Sequence, residues 1–476
     1  MPGPAYSFPN GQMIDKFLAA RTKSWEWEAK YGKTYRIWAA SIPEVLSNGI
    51  ASSRTPANQC FVFNGKSVIT EPKDVESLYQ QSTDHNKAPR ANAGWLLTQL
   101  LGSGLGLLNG ARWKSLRRML DPTFSHRISL SYLHESLDAA AESHVSEMHR
   151  FALMDRQQDA NDPTFVVNAT QALQRYPFFQ VCSMFYGALS ADEQEQLWKL
   201  GHQYSRVFAA AVLGGVHRSR LTKYMNTDAW RNAEVYKTSW QGFNQDMYQS
   251  RKRTAPDTPI VLDTIAESTF ANLDIVTHVI SSCVILLADM DQNTADREGY
   301  IARKDTLLHY CLLESLRLRP VLGKRSRRQQ AKYKCSGLTG TAFTFPENPP
   351  RKKVLGGFVV LANTTVIVDA FAINIRNPFW GPDNHSYRPR RFEDIKQNQL
   401  RYNLATFGYG PRKCLGQHIA DKMIKSLVYH LFKSYRVSLQ PMQTAQGDFK
   451  VDKTSWVGLY DVELKLEPRV HSSSHG

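Results

Sequence analysis

Between Phe407 and Gly416 the chain reads Phe-Gly-Tyr-Gly-Pro-Arg-Lys-Cys-Leu-Gly, and no other stretch constrains the fold as tightly. A lone cysteine, Cys414, sits between glycines, with Arg412 two residues before it. The run that follows, Gln-His-Ile-Ala-Asp-Lys-Met-Ile-Lys-Ser-Leu, has the apolar period of an amphipathic helix. A thiol in a tight loop at a helix N-terminus is expected as a stabilised thiolate. Backbone N–H groups and the positive end of the helix dipole favour the anion, and Arg412 adds a cation. Gly410 and Gly416 are expected to let the backbone approach a flat ligand that a Cβ would obstruct.

These ten residues resemble the heme-binding signature of the cytochrome P450 family, Phe-x-x-Gly-x-Arg-x-Cys-x-Gly, at every specified position. The resemblance, to the eukaryotic, microsomal and fungal members, implies a mainly α fold with small β-sheets (α+β) in one domain over residues 1–476. It implies heme b (iron protoporphyrin IX) ligated by Cys414, with Phe407, Gly410, Arg412 and Gly416 around it. A heme ligated by a thiolate serves a monooxygenase, which places one atom of O2 into a small organic substrate, here a secondary metabolite. Electrons come from NADPH through a cytochrome P450 reductase.

Further motifs extend the resemblance over nearly the whole chain. In Gly110-Ala-Arg-Trp-Lys-Ser-Leu-Arg117, Trp113 and Arg117 are four apart and share a helix face. The family's matching Trp and Arg contact a heme propionate, a carboxylate that needs a partner beside an apolar macrocycle. Glu314-Ser-Leu-Arg317, with Arg391 in Tyr387-Arg-Pro-Arg-Arg-Phe392, resembles the family's buried Glu-Arg-Arg triad. Its role is structural, since losing one partner strands a buried charge. Residues 264–288 resemble the long helix over the oxygen-binding face. There Ala271-Asn-Leu-Asp274 matches the start of the family pattern, and Ile275 and Val276 stand where threonines would. Asp274 and Thr277 are the catalytic candidates, the hydroxyl serving to order a water for proton delivery. The missing threonines keep open a P450-fold isomerase or dehydratase that needs no reductase.

Two stretches have no counterpart in the family pattern: about residues 46–67, and 323–341 between Leu322 and Ala342. Both read as insertions, either retained introns or loops, and they leave open an inactive heme-binding protein. The second carries six basic residues and no acid, part of a formal charge of +16. No nucleic-acid motif accompanies that charge, so an acidic redox partner is the expected counterpart, docking on Arg112, Lys114, Arg118, Lys413 and Lys422. Six scattered cysteines suit a reducing compartment rather than a disulfide framework. With no signal peptide and no run of about 18 apolar residues, the opening Met-Pro-Gly-Pro-Ala-Tyr resembles the hinge that follows a membrane anchor. The expected location is the cytoplasmic side of the endoplasmic reticulum, with peripheral membrane contact, or the cytoplasm. Shorter readings are helices at 14–31, 71–79 and 307–319, strands from Tyr35 and at 67–70, a strand run over 356–374, and closing strands within 451–468.

Overall fold

A computed structural model describes residues 1–7, 11–12, 15, 20–38, 65–80, 85–87, 89–131, 134–153, 162–251, 259–288, 301, 303–319, 344, 346–440 and 459–469. Residues 46–64, 323–341 and 451–458, on which sequence readings fall, lie outside them.

Helix α1 (Ala20–Tyr31) leads into strands β1 (Thr34–Trp38) and β2 (Gly65–Ile69), then α2 (Pro72–Tyr79), β3 (Asn86–Lys87), α3 (Pro89–Leu101) and α4 (Gly110–Leu120). The helical body follows with α5 (His126–Ser131), α6 (His134–Ser146), β4 (Phe165–Asn168), α7 (Ala169–Tyr186), α8 (Ala191–Leu213), α9 (Leu221–Tyr224) and α10 (Asp228–Ser250). The central α11 (Pro259–Ala288) and α12 (Leu307–Leu318) precede the short strands β5 (Glu347–Asn348), β6 (Lys353–Leu355), β7 (Phe358–Val360) and β8 (Val366–Val368). Last come α13 (Gln397–Asn403), α14 (Gln417–Ser434), β9 (Tyr435–Leu439) and β10 (Glu463–Pro468).

The strands form three small sheets. One has the order β1-β2-β8-β5-β3, the second β4-β10-β9, and β6 and β7 make a hairpin. Among the described strands, β2 and β8 alone pair in parallel, Val68 opposite Ile367. The mainly α reading with small sheets is therefore what the chain builds.

Helix α11 runs through two cores. Its first half adds Ile265, Ala266, Phe270 and Leu273 to a cluster with α7, α8 and α10. Its second half adds Val276, Ile280, Cys283 and Val284 to a cluster with α6 and α14. Such all-round burial explains its uniform hydropathy. Among the described residues it is the one helix long and apolar enough to cross a membrane, and 81% of that stretch is buried in protein.

The strand run expected over 356–374 is shorter than its β-branched sequence suggests. After β8, Asp369 accepts a hydrogen bond from the Ala372 amide at 2.9 Å, and residues Ala372–Arg376 wind into a π-helical turn. The carboxylate at the turn's start outcompetes the ladder, as Asp side chains do at helix starts. Just before this sheet, Thr344 pairs with Val368 twice: its amide donates to the Val368 carbonyl at 2.9 Å, and its hydroxyl accepts from the Val368 amide at 3.0 Å.

Candidate functional site

The cysteine loop is pinned by its own backbone. Gly410–Arg412 forms a 3-10 turn, and the Cys414 amide donates to the Phe407 carbonyl at 2.8 Å. At Gly410 φ is +62°, and a Cβ would lie 2.6 Å from the Tyr79 ring, so only glycine fits. At Gly416 no atom beyond the residue and its two chain neighbours lies within 4 Å of where a Cβ would be. The glycine reading thus divides: Gly410 is required by Tyr79, and Gly416 opens onto space.

Cys414 is exposed by area yet ringed by protein, as on the wall of a concavity. Burial pushes its thiol up, against the Gly416 amide and the Arg117 guanidinium, which favour the thiolate. Two expectations are corrected here. The thiol is not held low by the protein alone, because burial outweighs the loop's dipoles. The cation acting on it is Arg117, not Arg412.

Arg412 instead anchors another element with one bond from each terminal nitrogen. Both terminal nitrogens donate to the Leu108 carbonyl, at 3.0 and 2.9 Å, and the guanidinium lies 4.3 Å from the Trp113 ring centre. Burial lowers its pKa to about 10, with Glu347 and Glu267 acting the other way. Trp113 itself is buried on α4. Arg117, one turn on, bonds Asp121 at 2.5 Å and the Lys413 carbonyl at 3.0 Å. The helix spacing does bring Trp113 and Arg117 to the cysteine loop, Trp113 under Arg412 and Arg117 on the Lys413 carbonyl.

The predicted triad is assembled. Arg317 meets Glu314 through two bonds of 2.7 and 2.8 Å, and Arg391 Nε donates to Glu314 Oε1 at 3.0 Å. All three are buried. Arg317 also reaches the Asn374 and Asn384 carbonyls at 2.9 and 2.7 Å, and Arg391 the Trp380 carbonyl at 3.0 Å. Sequence reading missed Asn374, whose side chain bonds the Ala405 backbone and so links the triad to the cysteine loop. The signal was slight: one polar residue closing an apolar run. Glu347 was missed too. It is buried between His85 at 3.0 Å and Lys87 at 2.6 Å. Burial raises its pKa, but Lys87 and His85 outweigh that and hold it down at about 2.

On α11, Asp274 and Thr277 are buried. Asp274 accepts from Gln174 of α7 at 3.2 Å, and the Thr277 hydroxyl donates to the Leu273 carbonyl at 2.7 Å. Ile275, beside them, is only partly buried. The acid and the alcohol therefore pack toward α7 and the helix's own backbone.

Of the five expected docking cations, Arg112, Arg118 and Lys413 are exposed and Lys114 half-buried. A cleft of about 600 Å³ runs between α4 and the cysteine loop, lined by Lys114, Arg117, Arg118, Lys413, His126 and His418, with Asp121 and Cys414. Lys422 is excluded from that face. It is buried, donates to the Ile301 carbonyl at 3.1 Å, and burial lowers its pKa to about 8. It stands on the inward stripe of α14, where the helical period directs it.

Among the described residues one thiol is open, Cys414 in its glycine loop, with Arg412 and Trp113 stacked nearby and a buried Glu-Arg-Arg brace, an arrangement suited to a cofactor ligated by sulfur. The family model of Cytochrome P450 matches residues 62–281 and 339–453. The chain is 66% identical to the cytochrome P450 monooxygenase hasH of Aspergillus fumigatus over 498 aligned positions, covering 98% of this chain and 85% of that protein. It is 37% identical to the cytochrome P450 monooxygenase sirC of Leptosphaeria maculans, covering 98% and 87%. With gliC of Aspergillus fumigatus, also a cytochrome P450 monooxygenase, identity is 30%, covering 98% and 89%. The chain belongs to the cytochrome P450 family. It is a heme-thiolate monooxygenase.

Proposed function

We propose that this enzyme, a single domain over the chain, would hold heme b through the Cys414 sulfur and oxidises a small organic molecule of fungal secondary metabolism. The observation that carries the reading is the Cys414 sulfur, which opens onto a concavity while its own amide is tied to Phe407. The space at Gly416 fits a flat ring laid against the backbone. Phe407 and Gly410 shape the loop, and Arg412, Trp113 and Arg117 supply the donors that propionates need. When bound, the heme supplies oxygen activation, and the thiolate donates electron density to it.

The protein's own residues orient, exclude water and supply protons. Asp274 is assigned the acid, held by Gln174. Thr277, whose proton goes to the Leu273 carbonyl, keeps its oxygen lone pairs to order a water. The triad fixes the meander before the cysteine loop. Electrons arrive from NADPH through a flavoprotein reductase docked on the outer basic surface beside the cysteine loop, where Arg112, Arg118 and Lys413 face outward. The enzyme acts on the cytoplasmic side of the endoplasmic reticulum. Peripheral contact with the membrane uses the exposed Leu213, Leu221, Tyr224 and Met225, flanked by Arg220 and Lys223, an apolar patch with a basic rim suited to anionic lipid.

The reduced carbon-monoxide difference spectrum of the purified protein tests the cofactor reading. The wild type should give the band of a thiolate-ligated heme, and Cys414→Ser should lose it while retaining helical circular dichroism. A wild-type protein that takes up heme without that band overturns the assignment of Cys414.

A further inference from the structure

The eight residues 102–109 join α3 to α4, and they are tied down at four places. The Ser103 amide donates to Asp263 Oδ2 at 2.7 Å, and the Gly106 amide to Glu267 Oε2 at 2.8 Å. The Leu108 carbonyl takes both bonds from Arg412. Asn109 exchanges bonds with the Lys87 backbone at 2.9 and 3.1 Å. Asp263 and Glu267 are four apart and share one face of α11, so the segment lies along the central helix before reaching the cysteine loop.

Side chains are excluded from this track. A Cβ at Gly106 would lie 2.1 Å from Glu267 Oε1, and one at Gly104 would lie 2.7 Å from Oε2. Either would push the carboxylate away. Burial raises the Glu267 pKa, with the Gly106 amide and Arg412 acting against it and Asp263 with it. Glu267 therefore acts on Arg412 twice: through space as an opposite charge, and through two residues of chain that set where the Leu108 carbonyl stands.

We propose that Glu267 is a positioning residue: by holding Gly106 against α11 it fixes residues 102–109, and the Leu108 carbonyl then locates Arg412 at the wall of the cofactor pocket. This rests on the reading of Arg412 as a heme-pocket donor. It assigns a duty to a carboxylate that no P450 motif in the sequence contains.

The test uses the heme-loaded protein and follows heme transfer to an excess of apomyoglobin, together with hydrogen exchange at the Gly106 amide. Glu267→Leu and Arg412→Leu should each speed heme release, roughly tenfold for a lost charge-assisted bond. The double variant should release heme no faster than Arg412→Leu alone, because both changes act through one group. Glu267→Gln keeps an acceptor oxygen and should restore slow release and a protected Gly106 amide. Independent, multiplying effects of the two Leu variants overturn the proposal, as does a Glu267→Leu protein with wild-type release. If Arg412→Leu itself leaves release unchanged, the reading of Arg412 falls, and this inference with it. Should Glu267→Leu not fold, Gly106→Ala makes the same disruption without touching α11, and wild-type release from that variant counts equally against the idea.

Discussion

Asn374 and Ala405 exchange two hydrogen bonds: the Asn374 side-chain amide donates to the Ala405 carbonyl at 2.9 Å, and the Ala405 amide donates back to Asn374 Oδ1 at 2.6 Å. The asparagine's own carbonyl meanwhile accepts from Arg317. A continuous run of bonds thus leads from Glu314 through Arg317, Asn374 and Ala405 toward Phe407, whose carbonyl holds the Cys414 amide.

Asn374→Leu breaks this run and leaves two buried backbone groups of Ala405 without their partner. The expected cost is about 2–4 kcal/mol, one to two kcal/mol for each stranded group. Urea unfolding of the heme-loaded protein would measure it. The thiolate band should shrink in the same variant, and an unchanged band with an unchanged midpoint would refute the link.

Arg391→Leu removes one partner of a fully buried carboxylate. Glu314 keeps Arg317, but the Trp380 carbonyl loses its donor as well. A loss of about 3–5 kcal/mol is expected in guanidinium melts. A loss below about 1 kcal/mol, the range of an exposed pair, would contradict a buried triad.

Lys422 gives stability a pH dependence in the alkaline range. Burial lowers its folded pKa to about 8 from the model-peptide value of 10.5. Between those values the unfolded chain binds more protons than the folded one, so this group makes stability rise with pH from about 8 upward. Below about 8 both states carry the charge, and the burial penalty is present in full. Lys422→Met should flatten that rise in melting curves taken from pH 7 to 10.5. An identical slope in both proteins would show that Lys422 is not the source.

Charge reversal at the cleft rim, Lys114→Glu with Lys413→Glu, should weaken binding of an acidic flavoprotein reductase by roughly tenfold or more at low salt. The difference should fade as ionic strength rises. The same double reversal should leave the thiolate band intact. Unchanged reductase affinity would move the docking face elsewhere.

Much of this site is legible in the sequence because its chemistry is local or strictly spaced. The cysteine loop, Trp113 with Arg117, and Glu314 with Arg317 each lie within one turn or one motif, so helix period or loop geometry decides which residues meet. Lys422 failed for a related reason: the element on which it lies does flank the cysteine loop, but the face of α14 on which it falls points inward. Asn374, Glu347 and Glu267 could not be read because their partners are 31, 262 and 161 residues away. Nothing in a polar residue at the end of an apolar run says which distant backbone it will satisfy. The strand reading of 369–374 failed on competition, one carboxylate capping a turn against the β-propensity of its neighbours.

The Thr344–Val368 pairing has a consequence for chain length. Arg317 is locked by the triad on one side of residues 320–343, and Thr344 is locked to β8 on the other. Both ends of the interval are therefore fixed by bonds that do not depend on what joins them. Doubling the length of a flexible connection between fixed ends costs only about 0.6 kcal/mol. The match to the family model is interrupted between residues 281 and 339, an interval that reaches into this connection. Extra residues between two such anchors would leave the Glu314–Arg317 and Thr344–Val368 bonds in place.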